Sequence, residues 1–546
     1  MTESDALGET AVAEETARPA PAAFATIPAG ADPVGGVSTP AGADPAAMEG
    51  SSTPAGADPA AMRVYSTGIP TLDLVLGGGI PAASTVIVAG RPGTGKTILA
   101  EQFLFTNATA GAPALYLTTL SEPLEKVVRY LQQFTFFDRE RLLKAIHYRD
   151  IGQVIRGRGI ASLPQLVEDL VLERGVFFVV VDSFKALHDL SESAVTFRGV
   201  LFDFARVLAS SGVTALLVGE YVSEEIGRLP EFAVADGVIE LTNRAHGVRD
   251  ERAIRVHKLR GAAPLPGEHS FRIDASGLVV FPRLIGDIGA RVTFTDEPVP
   301  AGIEALDEML RGGVRRGTST VIAGPPGVGK TTLGLQFLVE GARRGEPALL
   351  VSFQEAARHT RQRLRHLGID GDGLLAAGLL TTFYAPPLEL DLAELVGRVR
   401  ALVEAKGVRR LVIDALGDMQ DAAIEGERFR AACWTLMHYL GNAGVTSFFL
   451  SETPWNDLES VPILSAITRG DISYMSDNVI LMRYLWPPHG ETDRALQVLK
   501  TRSTGHDPSL RPFRIGPAGL VVAPASEAVW PVPPAAPLAA HARSAS

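Results

Sequence analysis

The sequence predicts an α/β chain: two tandem domains of one kind, each a mostly parallel β-sheet covered by helices on both faces, flanked by disordered tails. Three observations predict it. Short runs rich in Val, Ile and Leu alternate with helix-like stretches, the pattern of parallel strands buried on both faces. A glycine-rich loop occurs twice, "GRPGTGKT" at 90–97 and "GPPGVGKT" at 324–331. The landmarks around the loops keep one interval: Lys96 and Lys330 are 234 positions apart (330 − 96), and "GIPTLD" at 68–73 returns at that interval as "GIEALD" at 302–307. "QFL" at 102–104 returns likewise at 336–338. A register kept over such a distance marks a duplicated domain, and its period is far longer than that of a solenoid.

From the N-terminus, residues 1–62 are rich in Ala, Pro, Gly, Thr and Asp, and "STPAGADPAAM" stands whole at both 38 and 52. Such a segment buries too little apolar area to offset its ordering entropy, so a disordered tether is expected. The first domain is expected at 63–288, the second at 289–525 and a second disordered tail at 526–546, with the boundary in "LIGDIGARVTFTDEP". In each domain an apolar run ("STVIVAG", "STVIAG") enters the glycine-rich loop and a helical pattern leaves it. Strands follow at "PALYLTT" and "PALLVSF", at "VFFVVVD" and "RRLVID", and at "VTALLVGE" and "VTSFFLSE".

Hydrophobic residues make up 46% and charged residues 21%, which suits soluble domains with sizeable cores. The net charge of −11 leaves no overall electrostatic footprint for nucleic acid. The longest apolar runs, such as "VFFVVV" at 176–181, are too short to cross a bilayer, and "MTESDALGETAVAEE" has no secretory pattern. A cytoplasmic, membrane-free protein is expected. The one cysteine, Cys433, sits in the helix-like "AACWTLMHYL" and reads as a core thiol.

The loops fit G-x-x-x-x-G-K-[ST]. Glycines let the backbone wrap a phosphate with its N–H groups inward, and the next helix adds the positive end of its dipole. Gly90, Gly93, Thr94, Gly95, Lys96 and Thr97 form the first candidate site; Gly324, Gly327, Val328, Gly329, Lys330, Thr331 and Thr332 form the second. The lysines would neutralise β/γ oxygens of ATP, and the Thr97 and Thr331 hydroxyls would meet Mg²⁺. Magnesium asks for a carboxylate nearby, and Asp182 and Asp414 each end a strongly apolar run, where an unpartnered acid is costly.

Hydrolysis also needs a group that orients or deprotonates water. The candidates are Glu355, 25 residues past Lys330, and Glu122, 26 past Lys96, so the two halves differ by one residue here. A third repeated feature is a cation pair: Lys258 and Arg260 in "HKLRG", Lys500 and Arg502 in "LKTRS". A spacing of two puts both cations on one strand face, where they suit a phosphate; an edge strand guarded by charge is the plainer reading.

With these residues in place, the chain resembles the KaiC family of circadian-clock ATPases, which have two RecA-like P-loop NTPase domains. The likeness covers roughly residues 64–525. It rests on both phosphate loops, the lead-ins "GIPTLD…GGGIP" and "GIEALD…GGVRRG", "QFL", Asp182, Asp414, "KLRG" and "KTRSTGHD". The resemblance implies ATP and Mg²⁺ as cofactors and an ATP-dependent homo-hexamer of two stacked rings. ATP would sit between subunits, with the Lys/Arg pairs reaching a neighbour's phosphates. It also implies a Ser/Thr autokinase in the second domain. Aligned through "ISYMSDNVILMRYL", the phosphorylated positions fall on Ser473 and Tyr474, and Thr468 matches a nearby threonine. The chain departs from the family where adjacent catalytic glutamates are expected: it has Ser121 and Gln354 in the first position of each pair. The tail after Pro524 does not resemble the family's regulatory tail, so clock partners and timekeeping are not supported, and the signalling partner is left unidentified by the sequence. Two other readings stay open: a RecA/RadA-type DNA-dependent ATPase, and an ATP-gated scaffold without turnover.

Overall fold

A computed structural model describes residues 63–119, 124–191, 193–246, 249–283, 295–387, 391–423, 426–453, 472–485, 493–502 and 504–527. Ser121, Glu122, Thr468, the segment 1–62 and nearly all of the expected C-terminal tail lie outside the described residues. Ser526 is described, in a 3₁₀ turn Ala525–Glu527.

The strands of the first domain are β1 (Val64–Tyr65), β2 (Ile80–Pro81), β3 (Thr85–Gly90), β4 (Ala114–Thr118), β5 (Ile146–Asp150), β6 (Phe178–Asp182), β7 (Thr214–Glu220), β8 (Gly237–His246), β9 (Arg249–Leu259), β10 (Glu268–Asp274) and β11 (Gly277–Phe281). Those of the second are β12 (Pro298–Val299), β13 (Val314–Arg315), β14 (Ser319–Gly324), β15 (Ala348–Ser352), β16 (Leu380–Tyr384), β17 (Arg410–Asp414), β18 (Thr446–Glu452), β19 (Asn478–Leu485), β20 (Asp493–Thr501), β21 (Arg511–Gly516) and β22 (Gly519–Val522). Among the described residues the long strands form two nine-stranded sheets, in the orders β11-β10-β9-β8-β3-β7-β6-β4-β5 and β22-β21-β20-β19-β14-β18-β17-β15-β16. The two orders are the same order, so the duplication read from the sequence is a duplication of topology. Six strands of each sheet run parallel, and the last three fold back as an antiparallel meander.

The continuous apolar runs follow from burial on both faces. Val86 and Val88 of β3 pack under the helix Lys96–Asn107 with Leu99 and Phe103, while Ile87 and Ala89 face the opposite layer with Val167 and Phe204. In the second domain Ile322 joins Leu333 and Phe337 on one face, and Val321 and Ala323 join Val399 and Leu440 on the other. Each large aliphatic or aromatic side chain so buried contributes about 1.5–3 kcal/mol. Cys433 is fully buried in the second domain's core, and burial pushes its thiol well above the usual range, as a core thiol requires. The domains meet where Arg272 of β10 reaches Glu394 on the helix Leu392–Lys406, at 2.5 Å, and where Arg428 pairs with Glu251. No helix among the described residues is long and apolar enough to cross a membrane.

Candidate phosphate-binding sites

Both glycine-rich loops run from a strand end into a helix, β3 into Lys96–Asn107 and β14 into Lys330–Arg343. Gly95 and Gly329 stand just before the helices with φ of 101° and 120°, a region L side chains avoid. A Cβ at Gly95 would also strike Ile273 at 2.7 Å, and one at Gly329 would strike Ile515 at 2.5 Å. The strictness of the motif therefore has two sources, the turn and the meander strand behind it. Thr94 and Val328, at the variable position, are buried, and Thr94 turns its hydroxyl to Arg91 O at 2.9 Å. Val328 packs into the core.

The lysines lie along their loops. Lys96 Nζ donates to Arg91 O at 2.9 Å; Lys330 Nζ donates to Gly324 O at 2.8 Å and Pro325 O at 3.0 Å. Burial pulls both ammonium groups below the usual lysine value, opposed by Glu220 and Asp182 at the first and by Glu452 and Asp414 at the second. Thr97 Oγ1 donates to Asp182 Oδ2 at 2.7 Å, and Thr331 Oγ1 donates to Asp414 Oδ2 at 2.7 Å. A hydroxyl and a carboxylate held together beside an ammonium, on a glycine-rich loop that opens a helix, is a donor set that fits a magnesium nucleotide. Burial raises both aspartates above their ordinary value; the threonine hydrogen bonds and the lysine charges pull them back.

Glu355 lies just beyond β15, its N–H donating to Ser352 Oγ at 3.1 Å and its carboxylate paired with Arg363. It stands close enough to Asp414 to raise that group's proton affinity. Gln354 is turned instead to Asp418, at 3.1 Å. The strands β4 and β15 begin the same distance after their lysines (114 − 96 and 348 − 330, both 18), so Ser121, not Glu122, stands at Glu355's interval. Both fall outside the described residues.

The cation pairs lie at the ends of β9 and β20. The ladder continues in register through each arginine, whose N–H donates to an aspartate carbonyl, Asp236 O or Asp477 O, at 3.0 Å in both domains. Lys500 Nζ donates to Ser473 O at 2.8 Å and Ser476 O at 2.6 Å, and Arg502 Nη2 donates to Tyr474 O at 2.5 Å. Burial and the neighbouring arginine hold Lys258 and Lys500 below the usual lysine value. Both pairs sit far from their own loops. Leu259 pairs with Gly237, which pairs with Val86, near the start of β3, whereas the loop leaves from Gly90 at its end.

Ser473 lies in the short helix Ile472–Met475 and is 3% exposed, while Tyr474 beside it is 64% exposed. Reading the sequence missed several residues at the loops. Arg252 Nη1 donates to Gly93 O at 2.9 Å, and Tyr484 OH lies 3.5 Å from Pro326 O. Glu220 and Glu452 end the strands beside the loop strands, opposite Gly90 and Gly324. Their recurrence in "LLVGE" and "FFLSE" was the available signal; for Arg252 and Tyr484 there was none.

A family model for the KaiC ATPase domain matches residues 65–285 and again 299–527. The chain belongs to the KaiC ATPase family. It is 27% identical to the circadian clock oscillator protein KaiC of Picosynechococcus sp., over 84% of this chain and 89% of that protein. It is 28% identical to the circadian clock oscillator protein KaiC 1 of Synechocystis sp., over 83% and 88% of the two chains. The circadian clock protein KaiC3 of Synechocystis sp. is 27% identical over 83% of this chain and 90% of its own length. The KaiC family therefore accounts for both glycine-rich loops as parts of ATPase domains.

Proposed function

We propose that this protein hydrolyses ATP as an assembly of its own copies, a two-tiered homo-hexamer in which each phosphate loop is completed by a Lys-x-Arg pair from the neighbouring copy. The working domains are 63–288 and 289–525. One observation carries the reading: Lys258 and Lys500 lie level with Ile87 and Val321 of their loop strands, and Arg260 and Arg502 level with the strand starts, Thr85 and Ser319. The loops leave those strands at Gly90 and Gly324, three residues beyond the lysines (90 − 87 and 324 − 321) and five beyond the arginines (90 − 85 and 324 − 319). At about 3.3 Å per residue these are about 10 and 16 Å along the strand, and each pair also stands two strands to the side, too far to serve its own loop. A cation pair that recurs in both domains and misses its own loop is suited to a neighbour's.

Within each site the loop N–H groups and Lys96 or Lys330 would cradle the phosphates. Thr97 with Asp182, and Thr331 with Asp414, would hold Mg²⁺, which supplies positive charge to the β- and γ-oxygens when bound. Glu355 would orient a water in the second domain, with Arg363 holding its carboxylate on that loop. Phosphoryl transfer onto Ser473 is not part of this reading, because its side chain is buried. A DNA-driven motor gains no support from the acidic balance of the chain.

The test is complementation. Arg502→Ala should lower turnover at the second site by on the order of 10³–10⁵, the usual worth of an arginine supplied in trans. Lys330→Ala should disable the same site from the other side. Mixed, the two should regain activity, because some interfaces then join an intact loop to an intact pair. A mixture that co-assembles yet stays inactive defeats the trans arrangement. A monomer by light scattering at saturating Mg-ATP defeats the assembly altogether, and stimulation by DNA would favour the motor.

A further inference from the structure

The first site holds a residue that the second lacks. Tyr116 is the middle residue of β4, pairing with Val180 of β6 and Tyr148 of β5. It packs beneath the helix Lys96–Asn107 and is 5% exposed. Its hydroxyl donates to Asp182 Oδ2 at 2.8 Å, the same oxygen that accepts from Thr97 at 2.7 Å. The ring is itself held: Tyr148 stacks on it at 4.9 Å with 25° between planes, and the Tyr148 hydroxyl donates to the fully buried Glu101 at 2.7 Å. In the second domain the matching positions are Leu350, paired with Val412 and Thr382, and Leu335 on the helix. Among the described residues Thr331 is the side chain that donates to Asp414, with no counterpart of the tyrosine.

We propose that Tyr116 is a positioning residue for Asp182, fixing that carboxylate from inside the sheet so that the first site takes up Mg²⁺ with its nucleotide more readily than Thr97 and Asp182 would by themselves. The inference rests on the reading of Thr97 and Asp182 as the magnesium-holding pair. A carboxylate whose one side-chain donor is the threonine loses its orientation whenever that threonine turns. Asp182 has a second donor on a strand, behind a stacked ring that cannot swing. Partners of this kind, one step removed from the metal, are typically worth 10–100-fold in metal affinity.

The experiment uses the full chain carrying Lys330→Ala, so that the first site dominates binding, and follows a fluorescent ATP analogue during titration with MgCl₂. Tyr116→Phe keeps the ring and its stacking and removes the hydroxyl. It should raise the Mg²⁺ midpoint by about tenfold while the metal-free melting curve keeps its shape. Tyr148→Phe, which leaves both donors to Asp182 in place, should leave the midpoint unchanged. In a Lys96→Ala background, Tyr116→Phe should leave the second site unchanged. An unshifted midpoint for Tyr116→Phe overturns the proposal, as does an equal shift for Tyr148→Phe, which would assign the effect to the loss of any buried hydroxyl beneath the helix and not to the bond with Asp182. If the parent first site binds the analogue without any Mg²⁺ dependence, the magnesium-pair reading is the one that fails.

Discussion

At the end of the first sheet away from its phosphate loop the protein packs aromatic rings; at the matching place in the second domain it buries an arginine. Phe178 and Arg410 both open the strand that ends in the site's aspartate, β6 and β17. Phe178 meets Phe103 edge-on at 5.6 Å and Tyr65 at 4.8 Å. Arg410, 1% exposed, lies 4.8 Å over Phe337 and donates to Glu346 at 2.6 Å, Pro300 O at 2.8 Å and Phe337 O at 3.0 Å. Glu346 also takes Arg316 at 2.8 Å. The duplicated fold thus requires that space to be filled, by either chemistry. What the chemistry changes is the response to charge. Glu101 lies buried under the first loop's helix and Glu346 beside the second domain's arginines, and they are perturbed in opposite directions.

The sharpest way to break the comparison is to remove Glu346. Glu346→Ala leaves a buried guanidinium without its anion and should destabilise the second domain by about 3–5 kcal/mol. Arg410→Met, which removes the buried charge and leaves Glu346 paired with Arg316, should cost much less. Hydrogen exchange resolved by domain would check both, and equal losses from the two variants would mean that the ion pair, not the stranded charge, sets the cost.

Acid and base should then separate the domains. Burial lifts the Glu101 carboxyl to about 8, only partly offset by Tyr148. The unfolded chain ionises it near 4.5, so its stabilising contribution is complete below that value and is lost as pH rises toward 8. Glu101→Gln should match the parent's first-domain stability at pH about 4 and exceed it increasingly as pH rises to about 9. Burial also disfavours the Glu346 carboxylate, but Arg316 and Arg410 outweigh it and hold the group below its ordinary value. Its contribution is present above about 4.5 and is lost as pH falls through the lowered value. Melting each domain across this range tests the contrast, and parallel pH profiles would refute it.

The smallest expected effect concerns the loops themselves. Arg252 braces the first through Gly93 O, while the second lies against Tyr484, over whose ring Arg494 sits at 5.7 Å. Arg252→Ala removes one exposed hydrogen bond, worth about 1 kcal/mol, and should weaken nucleotide binding at the first site by about fivefold. The second site should not respond, and calorimetry on single-site variants would measure the difference.

The sequence by itself determined the duplication, the sheet class, both phosphate loops and the two strand-ending aspartates. These are local or periodic signals: glycines demanded by backbone geometry, apolar runs demanded by two buried faces, and an interval that copies carry with them. Tertiary structure decided the rest. It set the cation pairs away from their own loops, two strands to the side, and turned Glu355 to Arg363. It also brought Tyr116 to Asp182, 66 positions along the chain. Which side chains meet across a sheet follows from strand order and register, and a slip of one residue sends each side chain to the opposite face. No composition or spacing fixes that register; the packing of the whole sheet between its two helical layers does.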